Sequence, residues 1–333
     1  MKIVIPAAGQ GTRLRPHTHT LPKVMLPVAG RPIIGHILAD VAPLEPEEVR
    51  LVVGYRGETV ERYAREAFPD LAVTIVWQAE QLGLGHAVLQ ALDEGDHGGV
   101  LVVLGDTVFD VDYAAVTGSA DHVLGVRRVP DPQRFGIVEL DDAGTTIVRL
   151  VEKPVEPPTD LALVGLYWVT DAEKLRAAIA GLVDSAVTTR GEYQLTDALQ
   201  AMIDAGERFV PFEIGAWFDC GEPETLLATN RELLDRRGGF VPPAVAKAAA
   251  ARSVLAPPVH VGEGAVIESS VVGPHVTLGR GSVVRDSVVR DSIVGENAVV
   301  EGIVMEHSIV GPGVRMRRRP AMLNLGNEAE MES

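Results

Sequence analysis

The sequence has little cysteine, little positive charge and no long apolar run. Its one cysteine, Cys220, excludes a disulfide within the chain, which fits a reducing compartment. Lysine and arginine number 30 against 46 acidic residues, and this net charge of -16 argues against nucleic acid as a partner, since phosphate backbones require a basic surface. No apolar run reaches the ~20 residues that a membrane helix needs, and we expect no signal peptide before the first strand. These absences predict a cytoplasmic protein with neither nucleic acid nor membrane as a partner.

The N-terminal region combines an apolar run with a glycine-rich, basic loop. Ile3–Ile5 predicts a buried strand, and the loop after it contains Gly9 and Gly11, then two arginines and Lys23. Backbone N–H groups in such a loop point at anionic oxygens, and nearby cations neutralise their charge. The loop lacks the Gly-Lys-Ser/Thr ending of a P-loop, and Leu14 stands where a dinucleotide-binding fingerprint has its third glycine. It therefore predicts polyphosphate binding through a different motif.

Strand-like and helix-like segments alternate over residues 1–236. Strand-like runs lie at Val49–Val53, Val73–Trp77, Val100–Leu104, His122–Arg127 and Ile147–Val151, and helix-like segments at Ile34–Ala42, Thr59–Ala67 and Ala87–Glu94. This alternation predicts an α/β fold, a doubly wound and mostly parallel sheet with helices on both faces. Ligands of such folds bind beyond the carboxyl ends of the strands, which is where the loop after the first strand falls.

The composition changes after residue 236, and a repeat follows. Residues 237–256, rich in glycine, proline and alanine, predict a linker. Val261–Val266 recurs as Leu278–Val283 and Val294–Val299, and in part as Val310–Val314. Three short aliphatic-led pieces in each repeat predict a triangular coil with glycine or asparagine at its corners. Residues 257–316 resemble a short left-handed parallel β-helix of the hexapeptide type, and residues 317–333 predict a tail.

The loop belongs to a longer and more specific string. It reads Gly9-x-Gly11-Thr12-Arg13-Leu14-x-Pro16-x-Thr18, then Pro22-Lys23 and Pro27-Val28. The string resembles the signature of the sugar-1-phosphate nucleotidyltransferases, the family of glucose-1-phosphate thymidylyltransferases and uridylyltransferases. The resemblance covers roughly the first 235 residues, and the repeat is similar to the C-terminal extension of the long members. It implies an Mg²⁺-dependent enzyme in which a sugar 1-phosphate attacks the α-phosphorus of a nucleoside triphosphate and expels pyrophosphate.

This chemistry needs cations and carboxylates rather than a strong base. The attacking phosphate is already an anion near neutral pH, so the site must align two anions and neutralise their charge. The resemblance implies that Arg13 and Lys23 face the triphosphate. Asp106 follows the apolar run Val100–Leu104, and Asp219 lies in a Trp-x-Asp-x-Gly stretch. We expect Arg13, Lys23 and Asp106 to be catalytic, and Asp106 and Asp219 to hold Mg²⁺.

The remaining site residues are assigned to two substrates. The amide of Gln78 offers a donor and an acceptor to the O4 and N3–H edge of thymine or uracil, whereas His86 is expected to pack or to cap a helix. The predicted nucleotide-binding residues are Ala8, Gly9, Gly11, Thr12, Arg13, Gln78, Gly83 and Gly85. The resemblance implies sugar-phosphate binding by Gly136, Glu152, Lys153, Gly165 and Arg190.

Several alternatives stay open at this point. We favour dTTP and glucose 1-phosphate as substrates, with UTP as the alternative nucleotide. A further alternative is a bifunctional enzyme whose β-helix, with His260, His275 and His307, transfers an acyl group. We expect small-molecule partners and a homo-oligomer, and a structural role for the β-helix.

Overall fold

A computed structural model describes residues 1–318, which divide into two compact units. The first unit contains residues 1–26 and 31–226, and the second contains residues 27–30 and the chain from residue 227 onward. The predicted tail, residues 317–333, lies outside the described residues from position 319. Over the described part of the chain, no helix is long and apolar enough to cross a membrane.

Strands and helices alternate up to residue 226, as the sequence predicts. The strands are β1 (Lys2–Pro6), β2 (Pro27–Val28), β3 (Arg31–Pro32), β4 (Glu48–Val53), β5 (Val73–Trp77), β6 (Val100–Val103), β7 (Thr107–Asp110), β8 (His122–Arg128), β9 (Gly136–Leu140), β10 (Ile147–Glu152), β11 (Leu161–Val169), β12 (Phe209–Glu213) and β13 (Ala216–Asp219). The helices are α1 (Ile33–Val41), α2 (Gly57–Ala67), α3 (Leu84–Gln90), α4 (Tyr113–Thr117), α5 (Ala172–Asp184) and α6 (Leu195–Asp204), and α7 (Pro223–Arg237) follows them.

The central sheet of the first unit has nine strands within the described residues, in the order β5-β4-β1-β6-β11-β8-β12-β10-β9. Strands β10 and β11 run opposite to the other seven. The prediction of a mostly parallel α/β sheet is therefore confirmed. Strands β1 and β6 have fully buried apolar centres, as expected for parallel strands that are covered on both faces.

A separate two-stranded ladder lies beside this sheet and concerns the site directly. Strand β7 pairs antiparallel with β13, and this register puts Asp219 opposite Thr107. Because Thr107 directly follows Asp106 in the chain, the ladder brings together two aspartates that are 113 positions apart. The separation is the difference between positions 219 and 106.

The second unit contains the repeat. Its further elements are α8 (Pro243–Ala249), β14 (Val254–Leu255), β15 (Val259–Val261), β16 (Val266–Glu268), β17 (Val271–Val272), β18 (Val276–Leu278), β19 (Val283–Arg285), β20 (Val288–Arg290), β21 (Ile293–Val294), β22 (Val299–Glu301), β23 (Val304–Glu306), β24 (Ile309–Val310) and β25 (Arg315–Arg317). They form three parallel stacks, β14-β17-β20-β23, β15-β18-β21-β24 and β16-β19-β22-β25. The predicted β-helix is confirmed.

Close packing between successive coils explains the repeating residues. The aliphatic side chains at the repeat positions, such as Val261, Leu278 and Val294, are fully buried in the coil. Gly281 and Asn297 have φ values of 66° and 55°, a left-handed conformation that glycine and asparagine tolerate best. The corner residues predicted from the sequence are therefore confirmed at these positions.

Candidate active site

Two adjoining cavities open in the first unit, where β1, β5 and β6 end. The first has a volume of about 280 Å³, and the second a volume of about 560 Å³. Both are lined by Leu84, Leu104, Asp106 and Glu192. Asp106 therefore lies at the place where the two cavities meet, as its position after a buried strand predicts.

The loop after β1 folds back onto the segment that carries Lys23. Gly11 has a φ of 60°, and a β-carbon at this position would lie 2.9 Å from the β-carbon of Lys23. The hydroxyl of Thr18 donates a hydrogen bond of 2.8 Å to the carbonyl oxygen of Gly11. Gly11 is thus required by both its backbone conformation and its close contact with Lys23. Ala8 and Gly9, which precede Gly11 in the loop, line the first cavity.

Lys23 and Asp106 form an ion pair at the junction of the cavities. Nζ of Lys23 lies 2.5 Å from Oδ2 of Asp106, and Lys23 is only 7% exposed. The loop after β6 is fixed beside β1, because the backbone N–H of Gly105 donates to the carbonyl oxygen of Pro6 at 3.0 Å. A buried lysine of this kind is held in place before any ligand binds.

Asp219 reaches the same junction from β13. The backbone N–H of Cys220 donates to the carbonyl oxygen of Asp106 at 3.1 Å, which fixes the two loops together. Burial raises the pKa of Asp219, and the charge of Asp106 raises it further, whereas Lys23 and Arg13 lower it in part. The two carboxylates therefore repel each other where a cation would relieve the repulsion.

This pair of aspartates suits Mg²⁺ better than a metal that is held by protein ligands alone. Mg²⁺ commonly binds to one or two carboxylates and completes its coordination with water and substrate phosphates. Over residues 1–318, no group of three or more His, Cys, Asp or Glu side chains is arranged to hold a metal ion. A site of two carboxylates next to open cavities has the donor chemistry that this mode of binding requires.

Arg13 lies at the edge of the second cavity in contact with an unpredicted acid. Its Nη1 is 2.6 Å from Oε1 of Glu222, and the same oxygen lies 3.4 Å from Nη2 of Arg134. The side chain of Arg13 is 58% exposed. A β-carbon at Gly221 would lie 3.0 Å from Oδ1 of Asp219 and 3.3 Å from Nη2 of Arg13, so the absence of a side chain there keeps these groups close.

Gln78 lies on the wall of the first cavity at the end of β5. Its backbone N–H donates to the carbonyl oxygen of Val53 at 2.8 Å, and the residue is 7% exposed. Its Nε2 is 3.3 Å from Nδ1 of His86. Gln81, which sequence reasoning missed, also lines this cavity and donates from Nε2 to the carbonyl oxygen of Ala8 at 2.7 Å.

The two glycines near Gln78 differ in position. Gly83 lines the first cavity, with a φ of 114° and a backbone so close to Tyr193 that a β-carbon would lie 2.6 Å from its carbonyl oxygen. Gly85 donates its N–H to that same oxygen at 2.8 Å. The described lining of the two cavities does not include Gly85, Gly11 or Thr12.

The second cavity gathers all the residues that were predicted to bind the sugar phosphate. These are Gly136, Glu152, Lys153, Gly165 and Arg190. Glu152 accepts a hydrogen bond of 2.7 Å from the hydroxyl of Thr196 and lies 3.1 Å from Nζ of Lys153. Arg190 donates to the carbonyl oxygen of Lys153 at 2.7 Å. The wall of this cavity thus has four carboxylates and four cations, which are Asp106, Glu152, Glu192 and Asp219, and Arg13, Arg134, Lys153 and Arg190.

Sequence reasoning also missed other residues that line the second cavity. They include Gln133, Arg134, Tyr167, Gln194, Thr196 and Trp217. Burial raises the pKa of the Tyr167 hydroxyl, and the charges of Glu152 and Asp106 raise it further. A signal existed for Tyr167 and Trp217, since Tyr167 lies two residues after Gly165 and Trp217 belongs to the Trp-x-Asp-x-Gly stretch that carries Asp219.

Comparison with known proteins agrees with this geometry. Residues 2–236 match the family described as nucleotidyl transferase. The chain belongs to this nucleotidyl transferase family. It is therefore an enzyme of the nucleotidyltransferase class, and its relatives indicate the synthesis of nucleotide sugars.

The relatives of this nucleotidyltransferase include two kinds of enzyme. A glucose-1-phosphate thymidylyltransferase from Streptomyces griseus is 33% identical over 341 residues, which cover 96% of this chain and 94% of that protein. The UTP–glucose-1-phosphate uridylyltransferase AglF from Haloferax volcanii is 33% identical over 232 residues, which cover 67% of this chain and 93% of that protein. A crystal structure from Bacillus anthracis, assigned as a glucose-1-phosphate thymidylyltransferase, is 27% identical with a TM-score of 0.62 and covers 73% of this chain and 98% of that one.

Proposed function

We propose that this nucleotidyltransferase joins dTTP to glucose 1-phosphate and releases pyrophosphate in a Mg²⁺-dependent reaction. The observation that carries the proposal is the position of Asp106, which lines both cavities and pairs with Lys23. A reaction between two phosphorylated substrates needs two adjoining pockets and positive charge where they meet. The thymidylyltransferase from Streptomyces griseus, similar over nearly the whole chain, supports the choice of substrates.

In this proposal the first cavity holds the nucleotide. Ala8, Gly9 and Gly83 line it with backbone, and Gln78 contributes a carboxamide that can pair with an oxopyrimidine base. Gly11, Thr12 and Gly85 are proposed to shape the loops around the nucleotide. Arg13 and Lys23 are proposed to contact the triphosphate.

The second cavity is proposed to hold the sugar 1-phosphate. Glu152 would accept hydrogen bonds from sugar hydroxyls through Oε1, which does not bond to Thr196 and lies 3.1 Å from Nζ of Lys153. Lys153 and Arg190 would bind the phosphate as cations, and Gly136 and Gly165 would line the sugar site through their backbone. The cations stand on the wall of the cavity that also contains Asp106, so the bound phosphate would face the nucleotide.

The chain would then act by alignment and charge neutralisation. An oxygen of the sugar phosphate attacks the α-phosphorus, its new bond forms as the bond to the β-phosphate oxygen breaks, and pyrophosphate leaves with the electron pair. Lys23 and Arg13 stabilise the negative charge that accumulates on the phosphates. Asp106 and Asp219 would hold Mg²⁺, which supplies further neutralisation of the phosphate oxygens.

The proposal is tested by the release of pyrophosphate from a substrate panel. Four nucleoside triphosphates are combined with the 1-phosphates of glucose, galactose, mannose and N-acetylglucosamine, with and without Mg²⁺. We expect the fastest release with dTTP and glucose 1-phosphate, and none without the metal. Faster turnover of a purine nucleotide, or unchanged turnover in chelator, would contradict the proposal.

UTP is the alternative nucleotide, and AglF supports it. The two nucleotides differ by a methyl group and a 2′-hydroxyl. Rejection of one methyl group by an apolar pocket gives only ~1–3 kcal/mol of discrimination. The ratio of kcat/KM for dTTP to kcat/KM for UTP, measured in the same assay, decides between the two nucleotides.

Acyl transfer by the β-helix is a further alternative. In the second unit, Nε2 of His275 lies 2.9 Å from Oδ1 of Asp235, and Nδ1 of His307 lies 2.9 Å from Oδ2 of Asp291. A carboxylate partner can orient an imidazole as a base. Consumption of acetyl-CoA that His307→Ala or His275→Ala abolishes would support this activity, and no consumption by the native chain would exclude it.

We also propose the domain limits that the sequence suggests. Residues 1–236 would form the catalytic domain, and residues 237–256 a linker whose strand β14 already pairs with β17 of the coil. Residues 257–316 would form a structural β-helix that supports a homo-oligomer in the cytoplasm. Light scattering of the purified protein tests the oligomer. A monomer at micromolar concentration would contradict it.

A further inference from the structure

His86 lies between two carboxamide side chains on one side of the first cavity. Its Nδ1 is 3.3 Å from Nε2 of Gln78, and its Nε2 is 3.3 Å from Nε2 of Gln90. Gln78 is buried and lines the cavity, whereas Gln90 is exposed at the end of α3. The three side chains form a continuous polar chain from solvent to the cavity wall.

The chemistry of the ring restricts how this chain can be arranged. A neutral imidazole has one N–H donor and one acceptor nitrogen, whereas a carboxamide donates only from nitrogen and accepts only at oxygen. Gln78 and Gln90 must therefore meet the ring with opposite atoms. Either Gln78 donates to Nδ1 while Gln90 accepts from the N–H at Nε2, or both amides are turned over.

These two arrangements offer different groups to a ligand. When Nε2 of Gln78 donates to His86, Oε1 and the second hydrogen of Nε2 stay available to the cavity. This pair of groups matches the N3–H donor and the O4 acceptor of an oxopyrimidine. When the amide is turned over, Oε1 faces the ring and both hydrogens of Nε2 face the cavity, which suits a base with a lone pair at N3, such as cytosine.

We propose that His86 is a positioning residue that fixes the Gln78 carboxamide in the first arrangement and so sets the preference for thymine or uracil over cytosine. This inference rests on the proposed function, in which the first cavity takes the base. Gln90 completes the arrangement. Because its amide is exposed, it can turn its oxygen toward the ring at little cost. That oxygen then accepts from the N–H at Nε2 of His86 and keeps the proton there. A merely packed His86, as the sequence suggested, would have no such effect.

The test compares nucleotide selectivity in His86→Leu and His86→Asn. Both binding and kcat/KM are measured for dTTP and dCTP, with the melting temperature as a control for folding. Leucine removes the acceptor, so we expect the dTTP/dCTP ratio to fall roughly tenfold, mainly through KM, because a buried polar group loses its fixed partner. Asparagine can place an oxygen near the position of Nδ1, so it should restore much of the ratio.

A second pair of variants acts at the exposed end of the chain and leaves the core untouched. Gln90→Glu can only accept a hydrogen bond and should preserve the ratio. Gln90→Lys can only donate and should lower it severalfold. The assays are run at pH 8, above the range in which histidine side chains usually titrate.

The outcomes separate this inference from the proposed function. If Gln78→Ala lowers the ratio but His86→Leu does not, and the two Gln90 variants are alike, the positioning role is wrong and the base site stands. If the native protein binds dTTP and dCTP equally well, the proposed base site itself is wrong. A lower ratio in His86→Leu and Gln90→Lys, with rescue by His86→Asn, supports the inference.

Discussion

Buried polar side chains have different surroundings in the two units of this chain. In the β-helix, the hydroxyl of Ser287 donates to the carbonyl oxygen of Arg285 and accepts from the backbone N–H of Ile303, so the coil itself satisfies this buried side chain. In the α/β unit, Lys23 and Gln78 are just as buried, yet they line a cavity. Hydrogen bonds within the coil account for a buried polar residue such as Ser287. Lys23 and Gln78 instead lie beside a cavity at one edge of a sheet. This difference is what identifies the site.

The largest expected effect comes from removing the lysine at the junction of the cavities. Lys23→Met should lower kcat/KM by about 10²–10³, the usual loss when a preorganised charge at a transition state is removed. The matched control is Lys2→Met, since Lys2 begins β1, the strand before the loop, and pairs with Asp96, neither of which lines the two cavities. Steady-state pyrophosphate release measures both variants. Equal losses in the two would show that Lys23 acts through stability alone.

Asp219→Asn should separate activity from stability. We expect a loss of about 10–100-fold in metal affinity and turnover, because the site keeps only one carboxylate. The raised pKa of Asp219 means that its ionisation costs folding free energy above the ordinary aspartate pKa of about 4. Asp219 therefore contributes a loss of stability as pH rises from about 4 through its raised pKa, and Asp219→Asn removes this contribution.

Thermal melts of native and Asp219→Asn protein check this sign. The variant should melt higher than the native protein at pH 7 and should show no advantage near pH 3, where the native carboxyl is protonated. A lower melting temperature at pH 7 would contradict the account of the two repelling carboxylates.

Within the coil, two serines offer a direct contrast. Ser287→Ala should cost about 1–3 kcal/mol of unfolding free energy, because it leaves the partly buried N–H of Ile303 without its partner. Ser282 is fully buried, but its hydroxyl has no hydrogen-bond partner in the described structure, so Ser282→Ala should be neutral or stabilising. Urea unfolding measures both. Neither change should alter kcat, because both serines lie in the coil and both cavities lie in the first unit. A changed kcat in either variant would contradict this separation of roles.

The smallest effect concerns Glu222, which in the proposed function would compete with a substrate phosphate for Arg13. An exposed ion pair contributes only about 0.2–1 kcal/mol, so Glu222→Gln should lower the KM for the nucleotide by about two- to fivefold at most. Glu224→Gln, an exposed change two residues further on, is the control. A raised KM in Glu222→Gln alone would mean that Glu222 holds Arg13 in its productive position.

The sequence predicted the fold, and most of the residues that line the candidate site, for reasons that are local. An apolar run followed by Gly105-Asp106 places a carboxylate at a strand end, and the repeat spacing of 17 and 16 residues predicts the coil. Strands such as β7 and β13 could not be foreseen in the same way, because their pairing depends on contacts between distant parts of the chain.

The residues that were missed share this dependence on distant contacts. Glu222 meets Arg13 across 209 positions, and Gln81 meets the carbonyl oxygen of Ala8 across 73. Neither pairing follows from spacing or composition. Conversely, the loop string marks Thr12 and Gly11 without saying whether they touch a ligand or support the loop, and their contact with the nucleotide stays a prediction.

The central claim is that Asp106 and Asp219 hold a metal ion between the two cavities. Crystals soaked with Mn²⁺, dTTP and glucose 1-phosphate, or with the nucleotide-sugar product, test it through an anomalous difference map. The account predicts a peak in contact with both carboxylates, with the base beside Gln78 and the sugar beside Glu152. A peak elsewhere in the chain, or ligand density outside the two cavities, would contradict it.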